Sequence, residues 1–398
     1  MLDCSVTLKS GKEEPVLRYH PWVFSGAIAR VSGNASDGAI AGVFDRQGRL
    51  LGVGHFHQGS IAVRILHFGE ADIRSAEFWE QKLRLCQAVR RRVGLPSPHT
   101  DCYRLAHGEG DGLSGLIIDI YGQVAVMQCH SIGMHLQRQT IAEAIFAVFE
   151  GAVQAVYDKS AEALPPQYAA GMENGLLLHH PGAPSEACVV KENGAQFRVN
   201  WAQGQKTGFF LDQRENRALI GHLAAGKTVL NTFCYTGGFS AYALKQGASL
   251  VHSVDVSGRA VELSNENMAL NAPYPGVHEA FAEDTLRFLK QSDQGYDMVI
   301  VDPPAYAKSI EKRHNAVQGY KRLNAAAFAR VNPGGLLATF SCSQVVDRQL
   351  FYNTVVAAAL ESGRKASVLY HLTQGPDHPV SLFHPEGAYL KGLVLFVE

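Results

Sequence analysis

From Lys227 onward, apolar runs alternate with amphipathic stretches, and this alternation constrains the fold more than any other feature. Thr228–Phe233, Leu250–Asp255, Asp297–Asp302, Gly335–Ser341 and Ala366–His371 read as strands, and Gly392–Val397 closes the sheet. Between them, Phe239–Gln246, Gly258–Asn271, Tyr320–Val331 and Val346–Ser362 read as helices. Strands covered on both faces are apolar throughout, and parallel neighbours need crossover helices, so the pattern predicts a doubly wound α/β sheet. Ligands of such sheets bind beyond the carboxyl ends of the strands, which makes the residues there the candidates for chemistry.

The rest of the chain is built differently. At 398 residues, with 46% hydrophobic and 18% charged residues, it is long enough for two or three packed domains and too apolar for disorder. Residues 1–70 read as short strands, among them Ala39–Phe44, Leu50–Phe56 and Ile61–Phe68, which predicts a small β-barrel. Trp79, Leu83, Cys86, Val89 and Val93 recur at helical spacing up to Gly94 and Pro96, marking an amphipathic helix over 75–93. Its Arg90, Arg91 and Arg92 read either as cations favoured at a helix C-terminus or as contacts to RNA phosphate. Residues 103–185 read as a mixed α/β region, with strands at Gly115–Ile120, Val124–Cys129 and Ala155–Asp158 and a helix near Leu136–Glu150. His107–Gly115 is glycine-rich but lacks the Lys-Ser/Thr of a phosphate loop, and reads as a tight turn. The expected division is 1–72, 73–185 and 186–398.

Charge and cysteine content exclude several classes. Thirty-six basic against 37 acidic residues give a formal charge of -1, so a polyanionic partner must meet a local patch rather than a global field. Seven cysteines, none spaced C-x-x-C, argue against a disulfide framework or zinc knuckle and place the chain in a reducing cytoplasm; no metal is expected. No apolar run approaches a bilayer span, and Met1–Ser10 has no signal-peptide core.

At the strand ends, Asn231–Phe239 reads N-T-F-C-Y-T-G-G-F, where Gly237 and Gly238 let backbone turn sharply against a ligand. Asp255 ends the next strand, eighteen residues after Gly237, and suits a bidentate bond to ribose hydroxyls. The loop is not G-x-G-x-x-G, so no helix end is freed for a pyrophosphate, and S-adenosylmethionine fits better than a dinucleotide. Asp284 could accept from an adenine amino group. Val301–Pro304 reads V-D-P-P, with two prolines stiffening the turn after Asp302. An ordinary helix cap is the alternative role for Asp302. Cys342, within F-S-C-S, lies at a strand end on the same edge. A thiolate and a methyl donor together suit methylation of pyrimidine carbon-5, which becomes nucleophilic only after sulfur adds to carbon-6. Asp302 near ring N3 would localise the charge that develops. Cys234, inside the glycine loop, is the rival thiol and reads as cofactor packing.

These stretches resemble the ribosomal RNA large-subunit methyltransferase I family of S-adenosylmethionine enzymes. Further matching segments are His20–Gly26 (H-P-W-V-F-S-G), His107–Asp119, Gly204–Arg217 (G-Q-K-T-G-F-F-L-D-Q-R-E-N-R) and His384–Leu393 (H-P-E-G-A-Y-L-K-G-L). The resemblance implies a Rossmann-like class I methyltransferase domain preceded by a small β-barrel PUA domain and a central α/β domain. It implies 5-methylcytosine formation in large-subunit ribosomal RNA, with Cys342 as nucleophile and Asp302 beside the base. It also implies a cofactor site of Phe210, Leu211, Asp212, Gln213, Arg214, Tyr235, Thr236, Gly237, Asp255, Ser257, Asp284 and Asp302. Trp22, Lys206 and Arg322 are the candidate RNA contacts, with a core or interdomain anchor as the alternative role of Trp22, and a homodimer is expected from the same likeness. Related cytosine enzymes usually carry a second cysteine where this chain has Pro304, so another group must remove the carbon-5 proton. Two alternatives stay open: methylation of guanine or another base with Cys342 structural, and a non-catalytic RNA-binding assembly factor.

Overall fold

The computed structural model describes residues 2–307 and 309–398, which group into two compact units. The first comprises Met1–Val190, Val199–Leu211 and Pro376–Gly387; the second comprises Lys191–Arg198, Asp212–Gly375 and Ala388–Glu398. No helix among the described residues is long and apolar enough to cross a membrane.

The first unit opens with β1 (Cys4–Leu8), α1 (Glu14–Leu17), β2 (Trp22–Phe24), β3 (Ile28–Gly33), β4 (Ile40–Phe44), β5 (Leu50–Phe56) and β6 (Ile61–Phe68). They form one six-stranded sheet in the order β2-β6-β5-β4-β1-β3, parallel only between β1 and β4. Inward Val6, Leu8, Val23, Val43, Val63 and Ile65 fill its core. The apolar-run reading of 1–70 saw β4, β5 and β6. It missed the three-residue β2, β1, whose alternate residues are polar because only one face is covered, and β3, which is exposed along nearly its whole length.

Next come α2 (Ala76–Arg92), β7 (Cys102–His107), β8 (Leu116–Tyr121), β9 (Val124–Cys129), α3 (Ile132–Leu136), α4 (Arg138–Phe149), β10 (Ala155–Asp158) and β11 (Gly175–His179). The strands form a second sheet, β11-β10-β9-β8-β7. Helix α2 starts where Ser75 accepts from the Phe78 amide at 3.2 Å, and it buries the Trp79, Leu83 and Cys86 stripe against this sheet. The arginine triplet at its end divides. Arg91 and Arg92 are exposed, but Arg90 is fully buried, bidentate to Asp111 at 2.6 and 2.7 Å. Two further donors reach the carbonyls of Arg104 (2.8 Å) and Asp377 (2.9 Å), so a guanidinium this deep is neutralised by its ion pair and committed to the interior rather than offered to RNA. Asp111 belongs to the glycine-rich turn 107–115, whose Gly112 takes a left-handed φ of 66°. That turn therefore builds the counter-ion for Arg90 and not a phosphate cradle.

The hairpin β12 (Ala187–Glu192) and β13 (Ala195–Asn200) contributes its tip to the second unit. Then follow α5 (Arg214–Leu223), β14 (Thr228–Thr232), α6 (Gly238–Lys245), β15 (Leu250–Asp255), α7 (Gly258–Asn271), β16 (Val277–Ala282), α8 (Thr285–Gln291), β17 (Tyr296–Val301), α9 (Arg313–Phe328), β18 (Val331–Ser341), α10 (Arg348–Glu361), β19 (Ala366–Leu372) and β20 (Lys391–Val397). The sheet runs β16-β15-β14-β17-β18-β20-β19, parallel except for β20, which is antiparallel to both neighbours. The order reverses direction at β14, with β15 on one side and β17 on the other, which is where a doubly wound sheet opens a ligand crevice.

The sequence expectation of a helix over 320–331 needs correction. Helix α9 covers Arg313–Phe328, and Val331 already begins β18. The charged Arg313 and His314 hide the helix start, while Asn332-Pro333-Gly334-Gly335 hides the strand start.

Candidate active site

The turn after β14 carries the tightest backbone of the second unit. Phe233 (φ 55°), Tyr235 (φ 47°) and Gly237 (φ 76°) are all left-handed within five residues. Non-glycine residues hold that conformation only when their surroundings enforce it. Gly237 is the N-cap of α6, and a Cβ there would meet Ser264 Oγ at 2.4 Å and Met268 Cε at 3.1 Å. Thr236 is buried, and its carbonyl accepts from Asn267 Nδ2 at 2.8 Å, so α7, which also carries Ser264 and Met268, holds the loop.

Asp255 closes β15. One carboxylate oxygen accepts from the Tyr235 amide and the other from the Ser257 amide, each at 3.0 Å. The carboxylate thus ties the glycine loop to the start of α7, and each oxygen keeps lone-pair capacity for a ribose hydroxyl. Ser257 is the N-cap of α7, accepting from Ala260 N at 3.3 Å. Asp284 is exposed and caps α8 through the Arg287 amide at 2.9 Å. The capping role weighed for Asp302 belongs to Asp284.

Asp302 follows β17 and is held differently. Its Oδ2 accepts from Gln213 Nε2 at 3.0 Å, and Gln213 Oε1 accepts in turn from Asn216 Nδ2 at 2.6 Å. Gln213 and Arg214 are buried just before and at the start of α5, with Arg214 Nε 3.2 Å from Glu215. Burial pushes the Asp302 carboxyl up to about 7, and the like charge of Asp212 adds to the rise. Asp212 Oδ2 accepts from the Tyr389 hydroxyl at 2.6 Å, while its buried Oδ1 has no hydrogen-bond partner among the described residues.

Cys342 sits just past β18, half-buried. Burial pushes its thiol up to about 11, with the carboxylates of Asp302 and Asp212 acting in the same direction and Lys391 against them. Lys391 lies on β20 opposite Ser341, 5% exposed, and its Nζ donates to the Ser343 carbonyl at 2.6 Å. Burial pulls this ammonium down to about 8. Cys234 is buried in the glycine loop, its Sγ 3.8 Å from the Tyr235 carbonyl, and burial raises it strongly; it packs.

Sequence reasoning left the role of Lys391 open and missed the Asp212–Tyr389 pair and the Gln213 link to Asp302. A lysine and a tyrosine flanking the apolar run of β20 were the available signal, but their partners lie far away in sequence. The remaining candidates fall as follows. Arg322 is exposed on α9. In the first unit, Leu211 is buried, Phe210 half-buried and Lys206 exposed. Trp22 is half-buried with its indole N–H committed to Glu109 (2.9 Å) and Ser114 (3.2 Å), which leaves only part of its ring for stacking on a base.

A group with hydroxyl, amino and cationic parts and no phosphate suits this donor set. The acidic Asp255 stands beyond β15, Asp212 presents a buried oxygen lacking a partner, and the loop of Tyr235–Gly237 admits no extra side chain. These residues fit S-adenosylmethionine, whose sulfonium and ammonium are cations and whose ribose is a diol.

Comparison with known proteins agrees. Residues 173–376 match the family model of S-adenosylmethionine-dependent methyltransferases, and residues 6–68 match a PUA-like domain. The chain is 37% identical to the ribosomal RNA large subunit methyltransferase I of Aeromonas salmonicida and 38% identical to that of Shewanella denitrificans, covering 98% of both chains in each case. In fold it is similar to a SAM-dependent methyltransferase from Streptococcus mutans, with TM-score 0.83, 23% identity and 100% of both chains covered. A methyltransferase solved in complex with SAH gives TM-score 0.82 at 22% identity, again over both whole chains.

Proposed function

Given that this chain belongs to the ribosomal RNA large subunit methyltransferase I family, we propose that it methylates carbon-5 of a cytosine in that RNA, using Cys342 as nucleophile. It is an S-adenosylmethionine-dependent methyltransferase. The cofactor supplies an electrophilic methyl group; everything else is done by the chain.

Asp255, Ser257, Asp284, Tyr235, Thr236 and Gly237 hold the adenosine part of the cofactor in this reading. Asp212, Gln213 and Arg214 face its methionine part. The Cys342 thiolate adds to carbon-6 of the cytosine, forming a C–S bond and moving electron density to carbon-5. Asp302, whose carboxyl is pushed up to about 7 by desolvation and by the like charge of Asp212, donates in its acid form to ring N3 and takes up the charge that the addition creates. Once carbon-5 carries the methyl group, its proton passes to water, the electron pair left behind expels the cysteine sulfur as thiolate, and the N3 proton returns to Asp302. Lys391 holds the Ser343 carbonyl, fixing the turn that carries Cys342, and its charge favours the thiolate.

The observation that carries this reading is the half-buried thiol of Cys342 within electrostatic reach of both Asp302 and Lys391. A structural cysteine would be expected in apolar packing, as Cys86 and Cys129 are. Exposed Lys206 and Arg322, with Trp22, are proposed as RNA contacts, within a division of the chain at 72 and 185. A cytoplasmic location, argued from the cysteine content, and a dimer, argued from family likeness, belong to the same proposal and are read by fractionation and light scattering.

The test is nucleoside mass spectrometry of large-subunit RNA methylated in vitro by wild type and by Cys342→Ala. Wild type is expected to yield 5-methylcytidine and the alanine variant none. Undiminished 5-methylcytidine from the variant rejects the nucleophile. A methyl group on guanine, made equally by both proteins, establishes instead the reading in which Cys342 is structural.

A further inference from the structure

The first unit holds a second cluster of chemically capable side chains, built from the two ends of the chain. We propose that His20, His384 and Glu386 bind one divalent transition-metal ion of the zinc type.

One ligand atom from each of the three residues lies within 4.8 Å of the others. His384 is the centre of the argument. It is 3% exposed, yet neither Nδ1 nor Nε2 has a hydrogen-bond partner among the described residues. Buried polar atoms in folded proteins are nearly always paired, and an orphan calls for a bound ion or water. His384 Nε2 lies 3.9 Å from Glu386 Oε2, too far for a hydrogen bond. Two ligands each about 2.1 Å from a tetrahedral ion stand roughly 3.4 Å apart, so the exposed Glu386 side chain needs only a small adjustment to share one.

The surroundings fix both rings, that of His384 by packing and that of His20 by a hydrogen bond. Trp22 packs edge-on to His384 with centroids 4.3 Å apart, and its own N–H is fixed by Glu109 at 2.9 Å. Ser114 Oγ donates to the same Glu109 oxygen at 2.7 Å, so the indole that supports His384 has no freedom to turn. His20 Nδ1 lies 3.2 Å from both the carbonyl oxygen and the amide nitrogen of Trp22. A metal on Nε2 places the proton on Nδ1 and selects the bond to the carbonyl, which is how backbone carbonyls fix ligating histidines.

Two imidazoles and one carboxylate select the metal class. The set is too poor in oxygen for calcium or magnesium and matches zinc, with a fourth position open to water. None of the three residues lies in the unit that contains Asp302 and Cys342. The proposal is therefore independent of the cytosine reading, and the ion's effect is on the stability of the first unit, since binding only the folded state raises its stability by mass action.

The experiment uses the full chain stripped with chelator and dialysed, then titrated with ZnCl2 by calorimetry and with CoCl2 by visible absorption. Wild type is expected to bind one zinc ion per chain with a higher Tm, and to give a cobalt d–d band that zinc bleaches. Glu386→Gln changes an exposed residue and leaves the fold intact; it is expected to weaken zinc binding at least tenfold. His20→Gln is expected to abolish the cobalt band. His384→Ala opens a buried gap and is read only alongside these two. Absence of a stoichiometric site in wild type, or binding unchanged in both Glu386→Gln and His20→Gln, overturns the proposal.

Discussion

Asp302 and Cys342 make opposite demands on pH. The reaction uses the first as a carboxylic acid and the second as a thiolate, and burial holds the one up at about 7 and the other at about 11. Below about pH 7 the acid is intact and the thiolate population rises tenfold per unit, so kcat/KM should climb at that slope. Between about 7 and about 11 the gain in thiolate is offset by an equal loss of acid, and the profile should level. Asp302→Asn keeps a hydrogen-bond donor but removes the second titration. Expected is an enzyme slower by about 10²–10⁴-fold, the usual worth of general acid–base catalysis, whose kcat/KM keeps climbing through the alkaline range. A wild-type plateau that persists in the variant would show that Asp302 is not the acid. The two residues were legible because each follows an apolar strand in a short motif. The charge that Asp212, named only for the cofactor, and Lys391 set around them was not. Lys391 reaches the turn of Cys342 only because β20 runs antiparallel to β18, putting it opposite Ser341.

At the scale of elements, β17 and β20 announced themselves through their apolar runs Met298–Val301 and Leu393–Val397, whereas β14 and β15 carry buried Asn231, Thr232, His252 and Ser253 and were legible from their place in the strand and helix alternation. The hairpin of β12 and β13 and helix α5 did not, because their buried positions are partly ionic. Glu192 on β12 is fully buried and takes Arg217 of α5 bidentately at 2.8 and 2.7 Å, with the Tyr242 hydroxyl at 3.0 Å. A Cβ on Gly238 would press on Arg217 Cδ at 3.0 Å, so the start of α6 is shaped around this pair. Removing one partner strands the other charge in a dry site, which costs about 3–5 kcal/mol, whereas replacing both with apolar residues is often neutral. Arg217→Met is therefore expected to lower the urea midpoint sharply, and Arg217→Met with Glu192→Leu to recover much of it. A single variant unfolding like wild type would mean that the pair is solvated and contributes little.

At the scale of the whole molecule, the strand and helix alternation made the fold class legible, but the route of the chain left no periodic signal. Residues 199–211 and 376–387 return to the first unit, and buried groups depend on them. Asp377 accepts from the Arg104 amide at 3.0 Å, and its carbonyl accepts from Arg90 at 2.9 Å. Thr207 donates to Asp119 at 2.5 Å, and Lys159 donates to the carbonyls of Trp201 and Gly204. A fragment of residues 1–190 keeps Arg90, Arg104, Asp119 and Lys159 but loses these partners. An unpaired buried group costs about 1–3 kcal/mol, and several together rival the 5–15 kcal/mol that holds a whole domain folded. The fragment is expected to unfold at a markedly lower urea midpoint than the full chain, or to lack a cooperative transition by circular dichroism. Its recovery of a normal transition when residues 199–211 and 376–387 are appended through flexible linkers would locate the deficit in those contacts. A fragment of 1–190 as stable as the full chain would instead mean that water replaces the missing partners without loss, and that the returning segments are ornament rather than structure.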